Sequence, residues 1–162
     1  MIRPATAADL ETLLRLNNEA VPNVNGLTDE QMRWFLENVE FFRVAEHGGA
    51  VAGLLSALPA GSEYWSHYYR HICENFSEFL YIDRVFVDEK ARGSRLGEKL
   101  YDALKTYARE AGYRRLFCEV NLEPPNPGSL RFHKRIGFEE AGTHSDPERT
   151  KIVQFLRHEI SG

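Results

Sequence analysis

The amino-acid sequence predicts an α/β fold, α+β by looser criteria, with a mixed sheet of about six or seven strands flanked by helices. Three observations predict it. In the middle of the chain, strand-like segments alternate with single helical patterns, which requires crossover connections. Near both ends, strand-like segments follow one another through short turns, which suits hairpins. The 162-residue chain is 43% hydrophobic and 27% charged, enough for one sizeable core and too short for two ordinary domains, so 1–162 is read as a single domain.

The elements follow in order. Ile2 and Arg3 form a short strand, and the segment Ala7 to Ala20 places Leu10, Leu13, Leu14 and Leu16 at helical spacing behind a capping Thr6. Thr28, with Gln31 three residues later, makes a capping box for a second helix striped by Met32, Phe35, Leu36 and Val39. Phe41 to Glu46 and Val51 to Leu58 are rich in strand formers and flank His47-Gly48-Gly49, where the glycines accept the positive φ of a hairpin turn. The insertion from Pro59 to Glu78 repeats aromatic and aliphatic residues at intervals of three and four and is expected to contain a short amphipathic helix.

Phe79 to Val87 reads as a buried strand leading through a polar loop to a long helix, with Leu96, Leu100, Leu104, Tyr107 and Ala111 on one face and Gly112 ending it. Arg115 to Asn121 is the next strand. After it come a proline-rich break, a helix from about Gly128 to Ile136, and two strands near Phe138 to Thr143 and Lys151 to His158. Any of the three X-Pro bonds in 124–127 has the option of being cis.

Composition excludes several classes of function. The longest apolar runs fall well short of the roughly 20 residues that span a bilayer, and the N-terminus lacks a signal-peptide pattern, so a cytoplasmic protein is expected. Two distant cysteines, Cys73 and Cys118, argue against a disulfide framework or a zinc site, and no metal is expected. A formal charge of -4 argues against nucleic acid as a partner.

The chemistry concentrates at one junction. Val85-Phe86-Val87 ends a strand, and Arg92-Gly93-Ser94-Arg95-Leu96-Gly97 opens a helix. First-turn N–H groups and the helix dipole attract an anion there, glycine lets a phosphate approach the main chain, and Arg92 and Arg95 add charge. Neither the Walker spacing nor G-x-G-x-x-G is present, which favours a pyrophosphate ligand of another kind.

Here the sequence resembles the GNAT superfamily of N-acetyltransferases, in its small bacterial type, with the signature Gln/Arg-x-x-Gly-x-Gly/Ala. Arg95 replaces the usual glycine at the fourth position. A second motif, Asn126-Pro127-Gly128-Ser129-Leu130-Arg131-Phe132-His133-Lys134-Arg135-Ile136-Gly137-Phe138, resembles the family's N-x-x-A-x-x-F-Y-x-K-x-G-F. With the Ile2-Arg3-Pro4-Ala5 opening, the resemblance extends over nearly the whole chain outside the 59–78 insertion.

The resemblance implies a GNAT-like fold splayed between the strands at 80–87 and 115–121. It implies acetyl-CoA as co-substrate, its pantetheine arm paired with backbone at Phe86 and Val87, and an oxyanion donor N–H near Val87. Direct transfer to an amine needs a base. Asp83 is the first candidate, the alternative being a structural salt bridge to an arginine. Glu119 is the second and shares a strand face with Phe117 and Asn121. His133 stands where the family often carries the thiolate-protonating Tyr, the alternative being a surface histidine. Asn121, Asn126, Ser129 and Phe132 complete the donor-binding set, with Asn126 and Ser129 equally suited to capping a helix.

Tyr64, Trp65, Tyr68, Tyr69 and His71 are suited either to a lid over the acceptor or to packing, with Asn17 to Asn25 as an opposite wall. A small primary amine is the expected acceptor and a homodimer the expected assembly. Two rivals stand beside this reading: a non-catalytic acyl-CoA-binding module, and an acetyltransferase of protein N-termini or lysines.

Overall fold

The computed structural model describes residues 1–160. Its strands are β1 (Ile2–Pro4), β2 (Phe41–His47), β3 (Ala50–Pro59), β4 (Phe79–Val87), β5 (Arg115–Glu123), β6 (Glu139–Ser145) and β7 (Ile152–Glu159). The helices are α1 (Leu10–Glu19), α2 (Asp29–Asn38), α3 (His67–Asn75), α4 (Leu96–Ala111) and α5 (Pro127–Arg135), with 3-10 turns at Ala7–Asp9 and Glu89–Ala91. The seven strands form a mixed sheet in the order β1-β2-β3-β4-β5-β7-β6. The expected α/β class and strand number hold. No helix among the described residues is long and apolar enough to cross a membrane.

The chain divides into two compact units, each assembled from two stretches: Met1–Leu58 with Ile82–Tyr107, and Pro59–Tyr81 with the chain from Ala108 onward. In the first unit β2 pairs antiparallel with both β1 and β3, in registers that place Arg3 opposite Val44 and Val44 opposite Leu54. Leu13, Met32, Phe35, Val44, Leu54 and Leu100 are each fully buried in its core.

The caps explain why the helices begin where they do. The Thr6 N–H donates to the Asp9 carboxylate at 2.8 Å, and Asp9 also takes two bonds from the Arg3 guanidinium, which holds its carboxyl below the usual carboxylate range. That tight turn is why the helix expected from Ala7 opens as a 3-10 turn before α1. At α2 the predicted box is present: the Thr28 N–H donates to Gln31 Oε1 at 2.9 Å, and the Gln31 N–H donates to Thr28 Oγ1 at 3.2 Å.

The α4 stripe differs from the sequence reading in its last turns. Leu96, Leu100, Leu104 and Ala108 are buried with Tyr101, whereas Ala111 is exposed and Tyr107 sits at the margin, its hydroxyl donating to Glu40 at 2.8 Å. The buried row follows the i, i+4 ridge, which advances around the helix and leaves the i+3 positions at its edge. Gly112, with φ 86°, ends the helix in the left-handed conformation that glycine adopts without a Cβ penalty.

In the second unit the first residues of β4 run parallel to β5, with Phe79, Leu80 and Tyr81 opposite Arg115, Leu116 and Phe117. β5 and β7 are antiparallel along their length, and β6 pairs antiparallel with β7 through an irregularity between Glu140 and Thr143. α5 begins at Pro127, one residue before the expected start, because proline at a helix's first position gives up an N–H that has no intrahelical partner. Of the three X-Pro bonds singled out, Glu123–Pro124 is cis.

Candidate active site

In the first unit, β4 delivers Val85, Phe86 and Val87 to the junction. The Asp88 N–H donates to the Ala52 carbonyl at 2.6 Å, tying the end of β4 to β3. Gly53 makes that approach possible, since a Cβ there would lie 3.0 Å from the Phe86 carbonyl oxygen. The Asp88 side chain then caps the 3-10 turn through the Lys90 N–H at 3.2 Å. The Ser94 N–H and hydroxyl both donate to the Ala91 carbonyl.

The first intrahelical bond of α4 runs from the Lys99 N–H to the Arg95 carbonyl at 3.1 Å. The N–H groups of Leu96 and Gly97 therefore precede any intrahelical acceptor. Gly93 (φ 86°) and Arg95 (φ 62°) are both left-handed. That accounts for the glycine usual at the position of Arg95: the turn needs positive φ, and arginine adopts it at a cost of about 1–2 kcal/mol. Arg92 and Arg95 are exposed, with Arg92 only loosely paired to Glu89 at 3.7 Å. Two guanidinium groups, a glycine and the positive end of a 16-residue helix fit an anionic pyrophosphate.

Asp83 is not an isolated carboxylate. Its Oδ2 accepts from Arg84 Nε at 2.6 Å, and the two side chains are 5% and 3% exposed. Arg84 Nη1 also donates to Asn17 Oδ1 at 2.8 Å and to the Asn25 carbonyl at 3.1 Å, and the guanidinium lies over the Phe35 ring at 4.9 Å. Asn17, itself fully buried, donates to the Asn25 carbonyl at 3.1 Å, and Asn18 exchanges two hydrogen bonds with Leu27. The arginine salt bridge weighed from the sequence is thus present, as the hub of a network fastening the 17–27 segment to β4. Sequence reading missed Arg84 itself, although an arginine inside an apolar strand is a signal that a partner must exist.

In the second unit, Glu119 is half-buried and accepts a hydrogen bond from the fully buried Tyr81 hydroxyl. Tyr81 was read as strand core, yet its phenol orients the carboxylate. The Tyr68 hydroxyl is pushed up to about 12 by burial and by the negative charges of Asp146 and Glu119. Asn121 is buried, and its carbonyl accepts from the Asn126 N–H at 3.1 Å. Asn126 also caps α5, accepting from the Ser129 N–H at 3.4 Å.

His133 is buried, at 3% exposure, so it is not a surface histidine. Its Nδ1 meets the Ser129 carbonyl at 2.8 Å and the ring packs edge-on against Phe132 and Phe138. A carbonyl only accepts, so Nδ1 carries the proton there. Burial lowers the imidazole's pKa. The Nδ1–H of His133 is directed at the Ser129 carbonyl.

The aromatic insertion is mostly core. Tyr64, Tyr68, Tyr69 and Ile72 are buried, Tyr69 packs on Tyr81 with ring centroids 5.3 Å apart, and Trp65 remains 46% exposed. His67 and His71 on α3 gather around His144 of β6, with His67 Nε2 and His144 Nε2 2.8 Å apart. Among the described residues, no cluster of three or more His, Cys, Asp or Glu is arranged to hold a metal ion.

The strand–loop–helix junction offers backbone N–H groups and two arginines to an anion, and the helix with the second motif follows it in the chain. The profile of the acetyltransferase (GNAT) family matches residues 9–138, and the chain belongs to that family. It is 27% identical over 139 residues to an uncharacterized N-acetyltransferase of Methanocaldococcus jannaschii; the match covers 86% of this chain and 60% of that protein, so the chain spans less than two thirds of that relative. It is 29% identical over 143 residues to the L-methionine sulfoximine/L-methionine sulfone acetyltransferase of Pseudomonas aeruginosa, covering 87% of this chain and 81% of that one. Among solved structures, the ribosomal-protein-alanine N-acetyltransferase from Brucella melitensis matches with a TM-score of 0.74 at 29% identity, over 98% of this chain and 99% of that one.

Proposed function

We propose that the protein is an N-acetyltransferase, a single catalytic domain over 1–162 that moves acetyl from acetyl-CoA to the primary amine of a small, amino-acid-like molecule in a ternary complex. The observation that carries this reading is the β4–α4 junction of a family member, with Gly93 and Arg95 left-handed and the Leu96 and Gly97 N–H groups at the helix start. Those groups, with Arg92, Ser94 and Arg95, hold the pyrophosphate. The backbone of Phe86 and Val87, beside Val85, pairs with the pantetheine amides, and Asn121, Asn126, Ser129 and Phe132 serve the rest of the donor.

Bound acetyl-CoA supplies the thioester. The chain's own part is to hold its carbonyl against an N–H near Val87 and to deprotonate the acceptor. Glu119 is the better base, because Tyr81 orients its carboxylate while half-burial leaves it reachable. Asp83 stands second, its carboxylate committed to Arg84. The amine nitrogen bonds to the carbonyl carbon as the carbon–sulfur bond breaks, the amine proton passes to Glu119, and water protonates the leaving thiolate. Among relatives, the Pseudomonas enzyme is named for amino-acid analogues, which supports a small acceptor, and the Brucella enzyme for a ribosomal protein's alanine, which supports a peptide α-amine as the second reading. An exposed Trp65 and the edge strand β6 suit the homodimer, and the unpaired Cys73 and Cys118 suit the cytoplasm.

The test is thiol release from acetyl-CoA against free amino acids and amino-terminal peptides. Glu119→Gln is expected to lower kcat about 10²–10⁴-fold with acetyl-CoA affinity unchanged. Loss in Asp83→Asn at a wild-type melting temperature, with Glu119→Gln active, would exchange the two roles. A folded protein that binds no acyl-CoA sinks the proposal.

A further inference from the structure

The proposed chemistry leaves unused a group of three histidines in the second unit, His67 and His71 on α3 and His144 on β6. In the ladders of the sheet His144 lies opposite Val153 and Phe155 opposite Glu119, so these side chains share one face, and α3 covers it through Tyr68 and His71 against Phe155. His71 stacks on His144 with ring centroids 4.2 Å apart and on Phe155 at 5.4 Å. His67 Nε2 and His144 Nε2 are 2.8 Å apart. β6 is the outer strand of the sheet, and its ladder to β7 is irregular between Glu140 and Thr143, so residues 143–145 pair with 152–154 as a short segment of their own.

This geometry counts protons. Of two ring nitrogens at hydrogen-bond distance, one donates and the other accepts. One added proton turns the bond into imidazolium to imidazole and leaves it intact. A second sets N–H against N–H, and a charge on His71 lies directly over the same ring. Burial first, and then His71 and His67, hold the His144 pKa below its ordinary value, against the opposing charge of Glu74. The other groups around the cluster are Arg70 on α3, which donates to the Trp65 carbonyl at 3.5 Å, and Tyr68, which donates to the Lys151 carbonyl at 3.4 Å. Asp146 follows β6 and accepts from Thr150 and the Lys151 N–H, Arg157 on β7 meets Glu159 at 3.3 Å, and Glu119 on β5 accepts from Tyr81.

We propose that His67, His71 and His144 form a proton-operated clasp between α3 and β6, closed while the rings share at most one proton and released in mild acid, when further protons drive residues 143–145 away from α3. Histidine is the side chain whose ordinary titration falls in this range, and the three rings titrate as a set, not singly. With the folded-state pKa of His144 lowered, the clasp is fully closed above about pH 6.5 and loosens as pH falls below it. It lies wholly within the second unit and stands whether or not the transferase reading does.

The experiment measures amide hydrogen exchange by NMR from about pH 7 to about pH 5, with EDTA present and rates corrected for the intrinsic effect of pH. Protection of the amides pairing 143–145 with 152–154 is expected to fall about tenfold for each pKa unit by which the rings differ between closed and open states, while the Leu116 and Cys118 amides of β5 keep theirs. The fall is expected to vanish in the double variant His67→Gln, His71→Phe, which keeps a ring stacked on Phe155. His71→Phe alone keeps the test available should the double variant fail to fold, and there the fall is expected to shrink as the His144 midpoint, followed by its ring resonances, moves up. Protection independent of pH in the wild type, an equal fall in β5, or a fall undiminished in these variants overturns the proposal.

Discussion

Deleting the Arg84 guanidinium would remove the donor that the Asp83 carboxylate, the Asn17 side-chain oxygen and the Asn25 carbonyl share. Removing one partner of a buried ion pair costs about 3–5 kcal/mol, so Arg84→Leu is expected to lose that much in urea unfolding. His133 makes the opposite kind of prediction, one of pH. Burial lowers its folded-state pKa beneath the ordinary value of about 6.5, so as pH falls the unfolded chain takes up the proton first. Its contribution is therefore intact above about pH 6.5 and is lost as pH falls toward the lower folded-state value. His133→Leu should flatten that limb in unfolding curves collected across this window, and an unchanged slope would show the ring to be solvated. Neither environment was legible in the sequence. Ideal strand alternation sends residues 83 and 84 to opposite faces, and only a side chain as long as arginine's closes an i, i+1 pair. His133 falls on the inner side of a nine-residue helix too short and too basic to advertise a face.

At the scale of elements, the α4 junction was the most legible part of the molecule, because glycine and arginine spacing reports directly on backbone chemistry. The sequence also marked Arg95 as the departure, and the structure supplies the reason in its φ of 62°. Arg95→Gly should relieve the left-handed strain, offset in part by added freedom in the unfolded chain, for a net gain of about 0.5–1 kcal/mol in denaturant unfolding. If the guanidinium also contacts phosphate, calorimetry will show acetyl-CoA affinity falling in the same variant. The caps of α1 and α2 and the hairpin of β2 and β3 were legible for the same local reason. The inner face of α3 was less so, since aromatics at helical spacing describe a buried side and a ligand-facing side equally well. The structure assigns Tyr64, Tyr68 and Tyr69 to the core and leaves Trp65 exposed.

For the whole molecule, the element order was readable but the strand order was not. The hairpin of β6 and β7 was foreseeable, yet nothing local decides that β7 lies next to β5 with β6 at the edge. That choice rests on long-range pairs such as Glu119 with Phe155, which one sequence does not reveal. The donor assignment predicts a whole-chain effect. Acetyl-CoA at 100 times its Kd should add about 2.7 kcal/mol, roughly 5–10 °C in melting temperature for a chain of this size, and a melt indifferent to acyl-CoA would count against the assignment. The two compact units carry a further consequence. Each is built from two separated stretches, with 59–81 interrupting the first and 82–107 interrupting the second. No single proteolytic cut can therefore release either one whole. On the ribosome the first unit lacks its last strand and helix until residue 107 has emerged, so the opening 58 residues wait, partly built, while a segment belonging to the other unit is synthesised between them.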